Sequence, residues 1–187
     1  MLFRKGLKIP KEVFDAPEKI LHVSDTPTTF YPLLQDILDK IKPDVLIHTG
    51  DLADDIKLER RPWMRHEYEK ALMRLREIIT KFTVYIVPGN EDDPGIISSI
   101  FKNEIILIKP GFIVEIHGKK FALGHRPEDV KDKDADFKLY GHDPKSFFGL
   151  NGIHSINVII YPGWNIVRIK YPDWVNYDRG YRILRGL

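Results

Sequence analysis

The stretch Lys19 to Asp51, KILHVSDTPTTFYPLLQDILDKIKPDVLIHTGD, decides the fold. It opens with an apolar run, Ile20, Leu21 and Val23, that reaches Ser24 and Asp25 and is broken by Thr26-Pro27. A run this short, closed by turn residues, predicts a buried strand over 19–24 followed by a loop. Phe30, Leu33, Leu34, Ile37, Leu38 and Ile41 then recur at helical spacing until Lys42-Pro43 stops the helix. Asp44 to Thr49, through Val45, Leu46 and Ile47, reads as a second buried strand that runs straight into Gly50-Asp51. Strand, helix and strand in this order form a βαβ unit, which implies parallel strands joined by a right-handed crossover.

The pattern repeats downstream. A charged stretch over 54–65 leads into a helix with Met64, Tyr68, Ala71, Leu72, Leu75, Ile78 and Ile79 on one face, and a strand over 82–87 ends at Pro88-Gly89-Asn90. From Glu104 the texture changes. Short apolar runs at 104–108, 112–116, 120–123, 137–140, 155–160 and 166–170 are separated by Gly, Pro and Asp turns, which predicts a second, mainly antiparallel sheet. Two facing sheets with helices outside make an α/β fold and a single domain over 1–187, with 1–18 as an N-terminal extension and 165–187 as a final strand and aromatic tail. Trp164, Tyr171, Trp174, Tyr177 and Tyr181 are expected to pack against the second sheet.

A chain of 187 residues with 43% hydrophobic content can bury one sizeable core. It has no cysteine, which excludes disulfides, thiolate metal sites and thiol catalysis, so any metal must rest on His, Asp, Glu or Asn. The 29 basic and 27 acidic side chains leave a net charge of +2, and no basic stripe favours a nucleic acid partner. No segment approaches the ~20 apolar residues that span a bilayer, so no membrane partner is expected. Met1 to Val13 carries Arg4, Lys5, Lys8 and Lys11 and lacks the apolar run of a signal peptide, so a cytoplasmic location is the expectation.

The placement of polar residues points to chemistry. In α/β sheets ligands bind beyond the carboxyl ends of the strands. Those ends carry Asp25, Gly50-Asp51, Gly89-Asn90-Glu91-Asp92, Gly124-His125 and Gly141-His142-Asp143. Carboxylate, amide oxygen and imidazole are metal-ligand types that suit Mn, Zn, Fe or Ni better than Ca, and glycines allow the close backbone approach that convergent ligands need.

In this series the chain resembles the calcineurin-like metallophosphoesterases, whose ordered motifs are Asp-X-His, Gly-Asp, Gly-Asn-His-Asp/Glu, a lone His and Gly-His-X-His. The likeness extends over roughly 20–164. His48 before Gly50-Asp51 and Tyr161-Pro162-Gly163-Trp164, where many members have Asn-Pro-Gly-Ser, agree with it. The resemblance implies a four-layer α-β-β-α sandwich, two facing mixed sheets flanked by helices, and hydrolysis of phosphate esters at two metals.

Carried over residue by residue, the family's second metal shell matches Asp51, Asn90, His125 and His142. Its first shell keeps Asp25 and the bridging Asp51, but Pro27 and Pro144 stand where two histidines belong, and proline offers no donor atom. One divalent ion, Mn, Ni, Zn or Fe, is therefore the expectation, with the other position reduced. Glu91 replaces the family's leaving-group histidine, as in a branch of small prokaryotic phosphodiesterases that spells this motif Gly-Asn-Cys-Asp. Arg126 follows the lone His where a glycine is usual. Asp25, Glu91 and Arg126 are the candidate catalytic groups, and Arg126 and Arg61 the candidates for binding a phosphate-ester small molecule. His22, His66, His117 and His154 read as structural or exposed. A scaffold that keeps the fold without catalysis is the alternative that the paired prolines motivate. The oligomeric state is not legible in the sequence.

Overall fold

The apolar runs of the opening unit are apolar on both faces because both faces are covered, as shown by the structure, a computed structural model that describes residues 7–180. Helix α1 spans Lys11–Asp15, β1 Glu18–Val23, α2 Tyr31–Ile41, β2 Val45–His48, α3 Arg65–Ile79, β3 Thr83–Ile86, α4 Pro94–Phe101 and β4 Ile106–Leu107. Strands β5 (Phe112–Ile116) and β6 (Lys119–Leu123) precede α5 (Pro127–Val130), and β7 (Phe137–Tyr140), β8 (Leu150–Asn151), β9 (Ser155–Tyr161), β10 (Asn165–Lys170) and α6 (Asp173–Asp178) follow.

A six-stranded sheet has the order β10-β9-β1-β2-β3-β4, and a four-stranded sheet the order β5-β6-β7-β8. Leu21, Val23, Leu46, Val84 and Ile86 face α2 and α3, whereas Ile20, Ile47 and Val87 face Phe121, Leu123 and Leu139 of the smaller sheet. The outer face of the smaller sheet carries only a thin cover, in which Val130 of α5 packs on Ala122 and Tyr140. The layers are thus helix, sheet, sheet and one short helix. α2 ends on Lys42 in left-handed backbone just before Pro43, and α4 starts on Asp93, whose side chain accepts from Gly95 N at 2.8 Å and Ile96 N at 3.0 Å.

The expectation of one mainly antiparallel second sheet from Glu104 onward does not hold. β4, β9 and β10 join the first sheet, and within the second only β5 and β6 pair antiparallel, β6-β7 and β7-β8 being parallel. Both sheets are mixed. β9 lies between β10 and β1, where Ile156 and Val158 meet the helix-side core and Ile159 the core between the sheets. An alternation pattern shows that a strand exists and says little about its partner. The tail also packs elsewhere than expected. Tyr171, Trp174 and Val175 join the helix-side core around Phe30, Trp164 alone meets Phe121 and Phe137 of the second sheet, and Tyr177 is exposed. Tyr181 lies outside the described residues. Val13 of α1 is buried in the helix-side core, so part of the N-terminal segment is tied down. Only the start of the charged stretch enters the core: Asp54 and Ile56 are buried, following Leu52 and Ala53, and from Glu59 onward it is mostly exposed. Among the described residues no helix is long and apolar enough to cross a membrane.

The helix-side core should carry most of the stability. Leu72→Ala, at a fully buried position of α3, is expected to cost about 2–5 kcal/mol in urea unfolding, against under ~1 kcal/mol for Ile113→Ala on the edge strand β5.

Candidate metal centre

Parallel pairing brings the carboxyl ends of β1, β2 and β3 to one edge, and that of β6 and β7 brings the second sheet's ends beside them. The loops that leave those ends are stitched together. Asp25 N donates to Gly50 O at 2.9 Å, Thr26 N to Asp51 O at 3.0 Å, Gly141 N to His125 O at 2.9 Å, and Glu91 N to the Asp51 carboxylate at 3.0 Å. As a result, donor atoms of Asp25, Asp51, His125 and His142 all lie within 4.8 Å of one another. Asp25, Asp51 and His142 sit in left-handed backbone, with φ of 51°, 55° and 65°. For residues other than glycine this costs on the order of 1–3 kcal/mol each and persists only where the surroundings enforce it. Gly89 permits the approach, because a Cβ there would lie 2.1 Å from Asp51 Oδ1.

His125 is the hub. Its Nδ1–H donates to Thr49 O at 2.8 Å, while Nε2 faces Asn90 Oδ1 at 3.1 Å and Asp51 Oδ2 at 3.5 Å. Both ring nitrogens therefore face acceptors, and without another cation the ring holds both protons. Burial opposes that charge, but the Asp51 and Asp25 carboxylates outweigh it and push the His125 pKa up to about 10. Asn90 Nδ2 donates to Glu59 at 2.8 Å, which turns its Oδ1 toward the cluster. Asp25 Oδ2 accepts from Ser24 Oγ at 2.6 Å and His142 N at 3.1 Å, whereas Oδ1 is buried with no hydrogen-bond partner. Burial first, and then the Asp51 charge, raise the Asp25 pKa. Burial lowers that of His142, with the neighbouring His125 second. An orphaned carboxylate oxygen beside a nitrogen and oxygen donor set is a place that a divalent cation fits, and the Nδ1–H bond to a carbonyl is how a ligating histidine is oriented.

The remaining candidates fall around this cluster. Pro27 is buried and Pro144 exposed, and neither adds a donor. Glu91 is buried, accepts from Glu59 N at 2.8 Å, and lines with Asn90, Asp92 and Pro62 a depression of about 440 Å³. Arg126 is exposed and lines with His142, Glu128 and Asp143 another of about 340 Å³. Arg61 is exposed and lines neither. His48 Nδ1 accepts from Gly50 N at 3.2 Å, so its Nε2–H donates to Thr26 Oγ1 at 2.9 Å; His22 Nδ1 accepts from Asn157 Nδ2 at 3.1 Å and its Nε2–H donates to Thr49 Oγ1 at 2.9 Å. Both are fully buried and neutral, held near a pKa of about 3 first by burial. His117 pairs with Glu18, His154 stacks on Phe147, and His66 is exposed. The Tyr161–Trp164 turn lies at the opposite end of the sheet, where Tyr161 pairs with Glu18.

Sequence reasoning named Asp92 among the strand-end residues and gave it no role. Its carboxylate accepts from Asp51 N at 2.7 Å, Leu52 N at 3.0 Å, Gly89 N at 2.8 Å and Tyr68 Oη at 2.8 Å, and so locks the β2 and β3 loops together. Its place two residues after Asn90 was the available signal. Ser24 and Thr49, which orient Asp25 and His125, gave none.

Metal uptake must displace the Nε2 proton of His125. Below a pKa of about 10 the apparent affinity for manganese is expected to rise with pH, approaching tenfold per unit, with roughly one proton released per ion. Calorimetry in buffers of different ionisation enthalpy checks this, and a pH-independent affinity with no proton release would refute it.

The profile of the calcineurin-like phosphoesterase family matches residues 18–184. Among solved structures the fold is similar to Yfce, a phosphoesterase from E. coli, at a TM-score of 0.55 and 17% identity over 81% of this chain and 97% of that one. A second solved chain aligns at a TM-score of 0.51 and 12% identity over 83% of this chain and 100% of its own. Comparison with curated proteins gave no match. Motif order, sheet topology and the family profile agree, and the chain belongs to the calcineurin-like phosphoesterase family.

Proposed function

We propose that the protein is a divalent-metal-dependent phosphoesterase with one well-furnished metal position and a second, reduced one. The observation that carries this reading is the convergence of Asp25, Asp51, His125 and His142 within 4.8 Å, with Asn90 Oδ1 turned onto His125. Asp51, Asn90, His125 and His142 would hold the ion, and Asp25 would flank it with its free oxygen. A bound Mn, Ni, Zn or Fe supplies an acidified water and a Lewis acid for one phosphoryl oxygen.

The chain's own residues do the rest. Two carboxylates beside the ion repel a phosphate dianion, so a cationic donor is needed at the rim. Arg126, beside His142 in the smaller depression, would take phosphate oxygens through its planar fork. The other depression, lined by Glu59, Glu91, Asp92 and Asp93, is acidic and suits the leaving group's side. Glu91, beside Asn90 there, is the candidate to hand a proton to the leaving oxygen. With Pro27 and Pro144 in place of donors, slow turnover is expected.

A scaffold role is the second reading, favoured by those same prolines. The two separate in one assay series with bis-p-nitrophenyl and p-nitrophenyl phosphate under Mn, Ni, Co and Mg. Activity is expected with at least one metal, falling roughly 10- to 100-fold in Asn90→Ala and His142→Ala. Arg126→Ala should raise KM more than it lowers kcat. No hydrolysis with any metal, or hydrolysis indifferent to Asn90 and His142, would sink the enzyme. A wild type that is inert while Pro27→His with Pro144→His is active would establish the scaffold.

A further inference from the structure

Arg179, just after α6, is 1% exposed, and among the described residues no carboxylate contacts its guanidinium. Its donors go to neutral oxygens. Nε donates to Asp25 O at 2.6 Å, Nη2 to Ser24 O at 2.9 Å, and Nη1 to Ile153 O at 3.0 Å and Asn176 Oδ1 at 3.1 Å. The guanidinium carbon lies 4.3 Å from the centroid of the Tyr171 ring. Burying a guanidinium with no directly bonded counter-ion is expensive, the Asp25 carboxylate acting on it only through space, and an apolar side chain could fill the same volume without that cost. What an apolar residue could not do is hold two consecutive carbonyls in a fixed direction.

Those carbonyls bracket the point where the chain leaves β1 and enters left-handed backbone at Asp25. A peptide oxygen drawn to Arg179 and a carboxylate drawn to the cluster are two ends of one residue, so fixing the first aims the second. The same segment grips the loop again, because Thr29 Oγ1 donates to Asp178 at 2.5 Å and Phe30 packs on Tyr171 and Trp174. A permanent positive charge close to Asp25, besides that of His125, is therefore supplied from more than 150 positions away in the chain.

We infer that Arg179 is a positioning residue of the metal centre: it holds the Asp25 peptide so that the carboxylate faces the ion, and it thereby couples α6 to metal occupancy. This rests on the metal-binding reading of the cluster, and it requires no turnover. By reciprocity, if α6 improves the metal site, a bound metal must stabilise α6.

The test uses the full chain and manganese. Arg179→Met removes charge and fork, Arg179→Lys keeps the charge but cannot reach both carbonyls, and Tyr177→Ala alters an exposed position of the same helix as a control. Near-UV circular dichroism reports folding, calorimetry the affinity, and the visible spectrum of the cobalt(II) form the coordination geometry. Arg179→Met is expected to lose about tenfold or more in affinity with a changed cobalt spectrum, Arg179→Lys to fall between it and wild type, and Tyr177→Ala to match wild type. Hydrogen exchange of wild type over 173–180 should slow when manganese is added. If folded Arg179 variants bind with wild-type affinity and spectrum, the inference is overturned. If neither variant folds, the exchange measurement decides, and exchange unaffected by metal overturns it. Wild-type protein that binds no divalent ion defeats the metal centre and this inference together. Protein that binds but never hydrolyses defeats only the proposed activity.

Discussion

Asp25 and Asp51 are buried side by side, at 0% and 3% exposure, at a place where two negative charges need a positive one between them. Bulk water cannot supply the compensation at that depth. The molecule answers with donors: backbone N–H groups of Glu91 and His142, the Ser24 hydroxyl, and the doubly protonated ring of His125. A divalent ion at the same point would do the work of the His125 proton with more charge. Asp25, Asp51 and His142 are all in left-handed backbone, held by the bonds from Asp25 N to Gly50 O, from Thr26 N to Asp51 O and from His142 N to the Asp25 carboxylate.

Around that pair lies a shell of side chains that never touch the ion's position. Asp92 ties the β2 and β3 loops through three backbone N–H groups, Asn90 is turned by Glu59, and His125 is turned by Thr49. Glycines stand where a side chain would push the loops apart, Gly50 and Gly89 against each other and Gly141 against Ser24 and Asp25. Such a shell converts a loose gathering of ligand types into fixed geometry, and that fixed geometry separates a metal centre from a set of turns.

Pro27 and Pro144 bring no donor to the cluster, which is made by Asp25, Asp51, His125 and His142. The depression beside His142 has Arg126 together with Glu128 and Asp143 on its wall, whereas the one beside Asn90 is lined by Glu59, Glu91, Asp92 and Asp93 with no basic side chain.

The sequence by itself determined the strands and helices of the βαβ units and the residues at their ends. Hydrophobic period and turn residues are local properties, so the runs around Leu21, Leu46 and Val84 and the positions of Asp25, Asp51, Asn90, His125 and His142 were readable before any coordinates. Only the tertiary structure decided which sheet β9 and β10 would enter, because an apolar strand suits either sheet and its neighbours are chosen by packing across long chain separations. Arg179 was equally invisible. Its partners at Ser24 and Asp25 are backbone oxygens at sequence separations of 155 and 154, and any residue has a carbonyl to offer, so no pattern of side chains could have announced the contact.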